Sequence, residues 1–210
     1  MQTTAPDSAI ILASASPRRK SLLEGAGLRF AVVPSRFDES AVPPSSPEIY
    51  VRVQAEGKAA EVSDRYPDAW VIGADTIVVI DGEILGKPAS PAAARKMLGR
   101  LSGRRHAVYT GYALFRAADG DRTAGVVATE VVFKPLTGDE IDWYIDSGEP
   151  FDKAGAYAIQ GLGSCLVRRI NGSYTNVVGL PVCEVVADLM ERGAVQRGDG
   201  DRHGTSGKGG

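Results

Sequence analysis

Residues 70–80, WVIGADTIVVI, constrain this chain more than any other stretch. The run is apolar on both faces except at Asp75 and Thr76, the pattern of a strand held inside a sheet. Asp81-Gly82 then turns the chain into EILGKP, a two-residue hairpin that pairs Ile80 with Glu83. Counting along the hairpin sets Lys87 opposite Thr76, one position from Asp75. An isolated carboxylate among apolar neighbours costs on the order of several kcal/mol unless it is neutralised, paired or bound to a metal. Two readings of Asp75 stand: a structural ion pair at the strand end, or a working group in a site.

Helices and strands alternate around this strand. AIILAS and RFAVVPS read as strands, and Ser16-Pro17, Ser46-Pro47 and Ser90-Pro91 each open a helix with a capping hydroxyl and a proline at the first position. HAVYTGYALFRA and TAGVVATEVVFKPL read as two long strands joined through Asp119-Gly120. Thr137 and Glu140 form a capping box for the next helix. SCLVRRI, an Asn171-Gly172 turn, SYTNVVG and a final helix from about Leu180 follow. Helices interleaved with tight hairpins imply an α/β fold with a mixed sheet, since a purely parallel sheet would not hold so many hairpins. One domain over residues 1–193 is expected, with a glycine-rich, charged tail over 194–210 that lacks apolar anchors and reads as disordered.

Composition removes several functions. Lys and Arg total 24 against 26 Asp and Glu, a net charge of −2, and no aromatic cluster offers a stacking platform, so a nucleic-acid partner is not expected. Two cysteines, Cys165 and Cys183, make neither a disulfide framework nor a zinc motif. No apolar run approaches the roughly 20 residues that cross a bilayer, and the opening residues lack a secretory pattern. A soluble cytoplasmic protein is the expectation.

His106 and His203 are the only histidines, the second in the tail, which leaves little for a Ser-His-Asp or Cys-His system. No phosphate-binding G-x-x-x-x-G-K-[ST] loop occurs, and GLGS at 161–164 lacks the strand–helix setting of a dinucleotide fingerprint. Hydrolysis by carboxylates, cations and a metal remains. Lys58 falls on the buried stripe of Val51, Ala55 and Val62, where it either snorkels to water or serves a site. Asp38 and Glu39, in FDES, could hold a hydrated cation. Arg18 and Arg19 follow the Ser16 cap at once, two cations on the positive end of a helix dipole. An oligophosphate at that helix start would turn the unfavourable pair into a binding site; otherwise both side chains bend outward into water.

In order and spacing, LASASPRRKSLL, FDES, GKAAEV, VIGADTIVV, GEILGKP, FDKAGAYAIQGLG and INGSYTNVVGLPV resemble the Maf family of nucleotide pyrophosphatases, from about Ile10 to Glu191. The resemblance implies an elongated α/β protein with a mixed sheet and a deep cleft, related to inosine triphosphate pyrophosphatases. It implies hydrolysis of a nucleoside triphosphate to the monophosphate and pyrophosphate, with Mg²⁺ or Mn²⁺ as cofactor. By position, Asp75 matches the general base, while Arg18, Arg19, Lys58 and Lys87 match residues that hold phosphates and neutralise transition-state charge. Glu39 matches an acidic residue needed for activity, with Asp75 as its companion at the metal, and Ser14 lies in the substrate-binding set. Asp152 and Lys153 line the cleft or form an internal ion pair. AYAIQGLG with INGSYTNVVGLP resembles the branch acting on dTTP and UTP, in which Arg18, Thr76 and Gln160 match specificity positions. The Gln160 amide offers one donor and one acceptor to the N3–H and O4 edge shared by uracil and thymine, or else bonds nearby backbone. One matching edge leaves modified pyrimidines open as substrates. Alternatives are the branch preferring 7-methyl-GTP and a nucleotide-binding regulator of septum formation. A homodimer is consistent with the resemblance.

Overall fold

The computed structural model describes residues 9–195. Its seven-stranded mixed sheet has the order β2-β1-β3-β5-β6-β7, with β4 also on β3. The strands are β1 (Ile10–Leu12), β2 (Ala31–Val32), β3 (Trp70–Ile80), β4 (Glu83–Leu85), β5 (Arg105–Arg116), β6 (Asp121–Phe133) and β7 (Val167–Asn171). The helices are α1 (Pro17–Gly25), α2 (Pro47–Ser63), α3 (Pro91–Leu101), α4 (Gly138–Asp146), α5 (Tyr174–Val178) and α6 (Val182–Glu191). Strands β1 and β2 run parallel, as do β1 and β3, and the remaining pairs are antiparallel. The β5–β6 ribbon pairs continuously from Arg105↔Val132 to Arg116↔Asp121, roughly 40 Å at the usual rise per residue, so the molecule is elongated.

The three Ser-Pro starts hold: Ser16, Ser46 and Ser90 accept from the third helical N–H, with proline at the head of α1, α2 and α3. The Thr137–Glu140 capping box opens α4 with both of its hydrogen bonds. Asp81 and Gly82, both at positive φ, make the hairpin that pairs Ile80 with Glu83. RFAVVPS contributes less strand than expected: only Ala31 and Val32 pair with β1, and Pro34, without an N–H, cannot extend the ladder. SYTNVVG forms the short helix α5, capped by the Ser173 hydroxyl. The tail does not begin at 194. Ala194 and Val195 pack against the core beneath α6, with Ala194 N–H bonded to Leu189 O. The rest of that tail, His203 included, lies outside the described residues, as do residues 1–8.

Strand β3 organises the core, and its pleat assigns the two layers. Val71, Ile77 and Val79 face α2, which supplies Val51, Ala55, Ala59 and Val62. On this face Gly73 and Gly111 let α2 lie directly on the sheet. A Cβ at either would sit 2.2 Å from a helix carbonyl, that of Ala55 or Val51. The opposite face carries two clusters. Trp70, Ile72 and Ala74 pack with α1 and α6, whereas Val78 and Ile80 pack with α3 and α4.

A cleft opens between them for a reason of topology. β1 pairs with β3 only at residues 70–72, and β4 pairs along the same edge only at 78–80, while β5 occupies the other edge. Residues 73–77 therefore have a free edge where β1 departs into α1 and β4 departs after Leu85.

Candidate active site

Asp75 and Thr76 lie on that free edge, and because successive side chains alternate they face opposite sides of the sheet. They line a cleft of about 660 Å³, to which Ser14, Arg18, Arg19, Glu39, Lys58 and Lys87 also contribute, together with Asp152, Lys153 and Gln160. Of the candidate residues of the sequence reading, all but Asp38, whose carboxylate caps Ser40, border this one cavity, within the usual size range of ligand pockets.

On the α2 side, the buried stripe delivers Lys58 to the strand. Its Nζ donates to Asp75 Oδ1 at 2.7 Å and lies 2.9 Å from Glu39 Oε1. Lys58 does not snorkel to water; its side chain is 10% exposed and bridges two carboxylates. Asp75 is less enclosed than its apolar neighbours suggested, since it forms the cleft wall. Its Oδ2 has no hydrogen-bond partner among the described residues. Burial alone would raise the Glu39 carboxyl, but the hydrogen bond and charge of Lys58, with Lys87 and Arg19 beyond, hold it below its ordinary range. Glu39 is set in place by two contacts that its own motif does not reveal. Gln54 Nε2 donates to its carbonyl at 2.8 Å, and the Phe37 ring packs over Gly57, where a Cβ would sit 2.4 Å from it.

Lys87 requires a correction. The hairpin ladder ends at Val78↔Leu85, and the next carbonyl, Gly86 O, is taken by Gly155 N–H at 3.0 Å. The chain thus leaves the sheet before Lys87, which borders the cleft and acts on Glu39 through its charge. The cation bonded to Asp75 is Lys58.

On the opposite face stands Arg19. Its guanidinium does not bend outward: Nε donates to Gly179 O at 2.8 Å, one terminal nitrogen to Ser14 Oγ at 3.1 Å and the other to Thr76 Oγ1 at 3.2 Å. All three acceptors are neutral. Among the described residues no carboxylate lies within ion-pair distance of Arg19, and burial lowers its pKa. The Thr76 hydroxyl is also 2.9 Å from Thr110 Oγ1, which itself donates to Asn176 O at 3.1 Å. Thr76 is thereby committed to holding Arg19. Neither Thr110 nor Gly179 stood out in the sequence, because their link to Arg19 exists only once β5 and α5 meet.

Arg18 instead crosses the cleft to Asp152, 3.0 Å away. Asp152 also pairs with Lys153, whose Nζ donates to Glu149 O at 2.6 Å. Both readings of this pair hold, since the residues line the cleft and form an ion pair. Burial would raise the Asp152 carboxyl, and hydrogen bonds from Lys153 and Arg18 more than reverse it. The Gln160 side chain is exposed on the rim, and its amide makes no hydrogen bond to nearby backbone among the described residues.

The donor set fits a hard divalent cation in one manner. Among the described residues no three His, Cys, Asp or Glu side chains gather as a protein-only site. Two carboxylates, Asp75 and Glu39, share the Lys58 ammonium and line the same cleft as the arginines. That matches Mg²⁺, which is commonly held by one or two carboxylates plus substrate phosphate oxygens.

Comparison with known proteins identifies the family. The model for Maf-like proteins matches residues 9–192. The dTTP/UTP pyrophosphatase of Syntrophus aciditrophicus (strain SB) is 50% identical over 194 residues, covering 92% of this chain and 94% of that protein. The dTTP/UTP pyrophosphatase of Syntrophotalea carbinolica is 53% identical over 199 residues, 93% and 90% of the two chains. That of Geobacter metallireducens is 52% identical over 189 residues, 90% and 98% of the two chains. Among solved structures, the Staphylococcus aureus Ham1 protein overlaps at a TM-score of 0.42 and 15% identity, over 75% of this chain and 79% of that one. With the matched blocks spread over both walls of the cleft and the match running through nearly all the described residues, the chain belongs to the Maf family.

Proposed function

We propose that this chain hydrolyses dTTP and UTP, and modified pyrimidine triphosphates sharing their edge, to the monophosphate and pyrophosphate. One observation carries the reading: Arg19 is a cation fixed by three neutral acceptors, in the same cleft as a carboxylate with a free oxygen. A buried guanidinium whose hydrogen bonds all go to neutral acceptors is a ready site for an oligophosphate.

In this reading Asp75 Oδ2 takes a proton from a water whose oxygen attacks the α-phosphorus. The bond from that phosphorus to the bridging oxygen breaks, and pyrophosphate leaves with the electron pair. Lys58 keeps Asp75 oriented. Arg18, Arg19, Lys87 and Lys153 neutralise the negative charge that grows on the leaving group, with Ser14 contributing its hydroxyl. Asp75 and Glu39 would hold Mg²⁺ or Mn²⁺ with the phosphates, and the bound ion supplies further charge neutralisation. Gln160 reads the base through its unspent amide. No helix among the described residues is long and apolar enough to cross a membrane, and a nucleoside triphosphate substrate supports a cytoplasmic location.

The test is pyrophosphate release from dTTP, UTP, CTP, GTP, ITP and 7-methyl-GTP with Mg²⁺ or Mn²⁺, for the native protein and Asp75→Asn. Preferred turnover of dTTP and UTP that collapses in the variant supports the reading. Preference for 7-methyl-GTP removes the pyrimidine assignment, and tight binding without hydrolysis of any nucleotide removes the enzyme.

A further inference from the structure

Gln160 lies in a short irregular stretch between two 3-10 turns, Ala154–Ala156 and Gly161–Leu166, and the chain is fastened on both sides of it. Upstream, the Tyr157 hydroxyl lies 2.7 Å from His106 Nε2 in the core, and the next residue, Ala158, donates its N–H to Tyr144 Oη at 3.1 Å. Downstream, Leu162 N–H reaches Glu149 Oε2 and Gly163 N–H reaches Glu149 Oε1, each at 3.1 Å. Tyr144 and Glu149 are themselves joined, the phenol donating to Glu149 Oε1 at 2.8 Å. The hydroxyl's single proton is thereby aimed at the carboxylate, leaving a lone pair for Ala158. Three donors converge on the Glu149 side chain, which only an acceptor-only group can satisfy. Burial would raise that carboxyl, but Tyr144 and the two backbone N–H groups hold it below its ordinary range.

We propose that Glu149, with Tyr144, is a positioning residue for base selection: together they clamp residues 158–163 so that the Gln160 amide stands preset toward the nucleobase. This rests on the reading of Gln160 as the group that meets the base. A fixed loop holds the Gln160 backbone at one distance from the base, so its amide reaches the pyrimidine edge without the ordering cost that a loose loop adds. None of the clamp's hydrogen bonds involves Asp75, Lys58 or Arg19, so its loss falls on selection and binding more than on the bond-breaking step.

The experiment compares kcat and KM for UTP and CTP in the native protein, Glu149→Gln and Tyr144→Phe, with thermal unfolding measured alongside. Glu149→Gln keeps the size but turns one acceptor into a donor facing a donor. Tyr144→Phe keeps the ring in the core and removes only the hydroxyl. Both variants are expected to narrow the UTP-to-CTP ratio of kcat/KM by about tenfold, mainly through a higher KM for UTP, with kcat on UTP within about threefold of native. A ratio unchanged from native, or an equal loss on both nucleotides, overturns the proposal. If Glu149→Gln does not fold, Tyr144→Phe decides by the same criterion. A native protein that does not prefer UTP to CTP overturns the reading of Gln160 itself, and the clamp proposal with it.

Discussion

The two walls of the cleft are built by different means. One wall is the free edge of β3 with α2 pressed onto it, and it holds Asp75, Lys58 and Glu39 on one face and Thr76 with Arg19 on the other. Its parts are locked by close backbone approach at Gly73 and Gly111 and by short ion pairs. The opposite wall is a series of 3-10 turns over residues 149–166, fastened by side-chain-to-backbone hydrogen bonds centred on Glu149 and Tyr144. Rigid elements suit groups whose placement sets the rate. A loop held by a few hydrogen bonds suits a residue whose placement sets which base is accepted.

The largest expected effect lies on the sheet wall. Asp75→Asn should lower kcat by on the order of 10³, as for loss of a general base, while thermal unfolding stays near native. Arg19→Lys comes next. Lysine cannot reach Gly179, Ser14 and Thr76 at once, and pyrophosphate release should fall by about 10². Comparable loss from Gln160→Ala would erase the contrast between the walls.

Acid should test the anchor beneath the loop wall. Burial lowers the His106 pKa to about 4 from its ordinary 6.5. Between those values the unfolded chain binds a proton that the folded chain does not. Stability is therefore full above about pH 6.5 and falls as the pH drops toward 4, by on the order of 3 kcal/mol. Urea unfolding at pH 7.5 and pH 5 should show the decline, and His106→Phe should flatten it. The depressed carboxylates, Glu39 and Asp152 among them, add their losses only at lower pH.

Smaller effects sharpen the comparison. Gly111→Ala puts a Cβ 2.2 Å from Val51 O, so α2 must move off the sheet at a cost of about 1–3 kcal/mol. Because Gly111 lies opposite Asp75, this variant should lose turnover as well as melting temperature. Gln160→Ala should change least, lowering the preference for UTP over CTP by about tenfold with little effect on kcat.

What could be read in the sequence follows the range of each interaction. The Ser-Pro helix starts, the Asp81-Gly82 turn and the Thr137–Glu140 box are decided within four residues, and all were legible. The buried stripe of α2 marked Lys58 as anomalous, but not which acid it would meet. Lys87 was placed beside Asp75 by extending a ladder, and no local signal shows that β4 stops at Leu85 because Gly86 O bonds Gly155. Arg19 was legible as a misplaced charge, yet its acceptor Gly179 lies 160 positions away. The Glu149 clamp left no trace in composition or periodicity, since its donors arrive from a loop with neither period.

The central claim is that water activated at Asp75 attacks the α-phosphorus while the cations hold the phosphates beyond it. Hydrolysis of UTP in ¹⁸O-labelled water, with both products analysed by mass spectrometry, tests it most directly. One labelled oxygen in the uridine monophosphate and none in the pyrophosphate is the result expected. Label in the pyrophosphate would place the attack on the β-phosphorus and contradict the account.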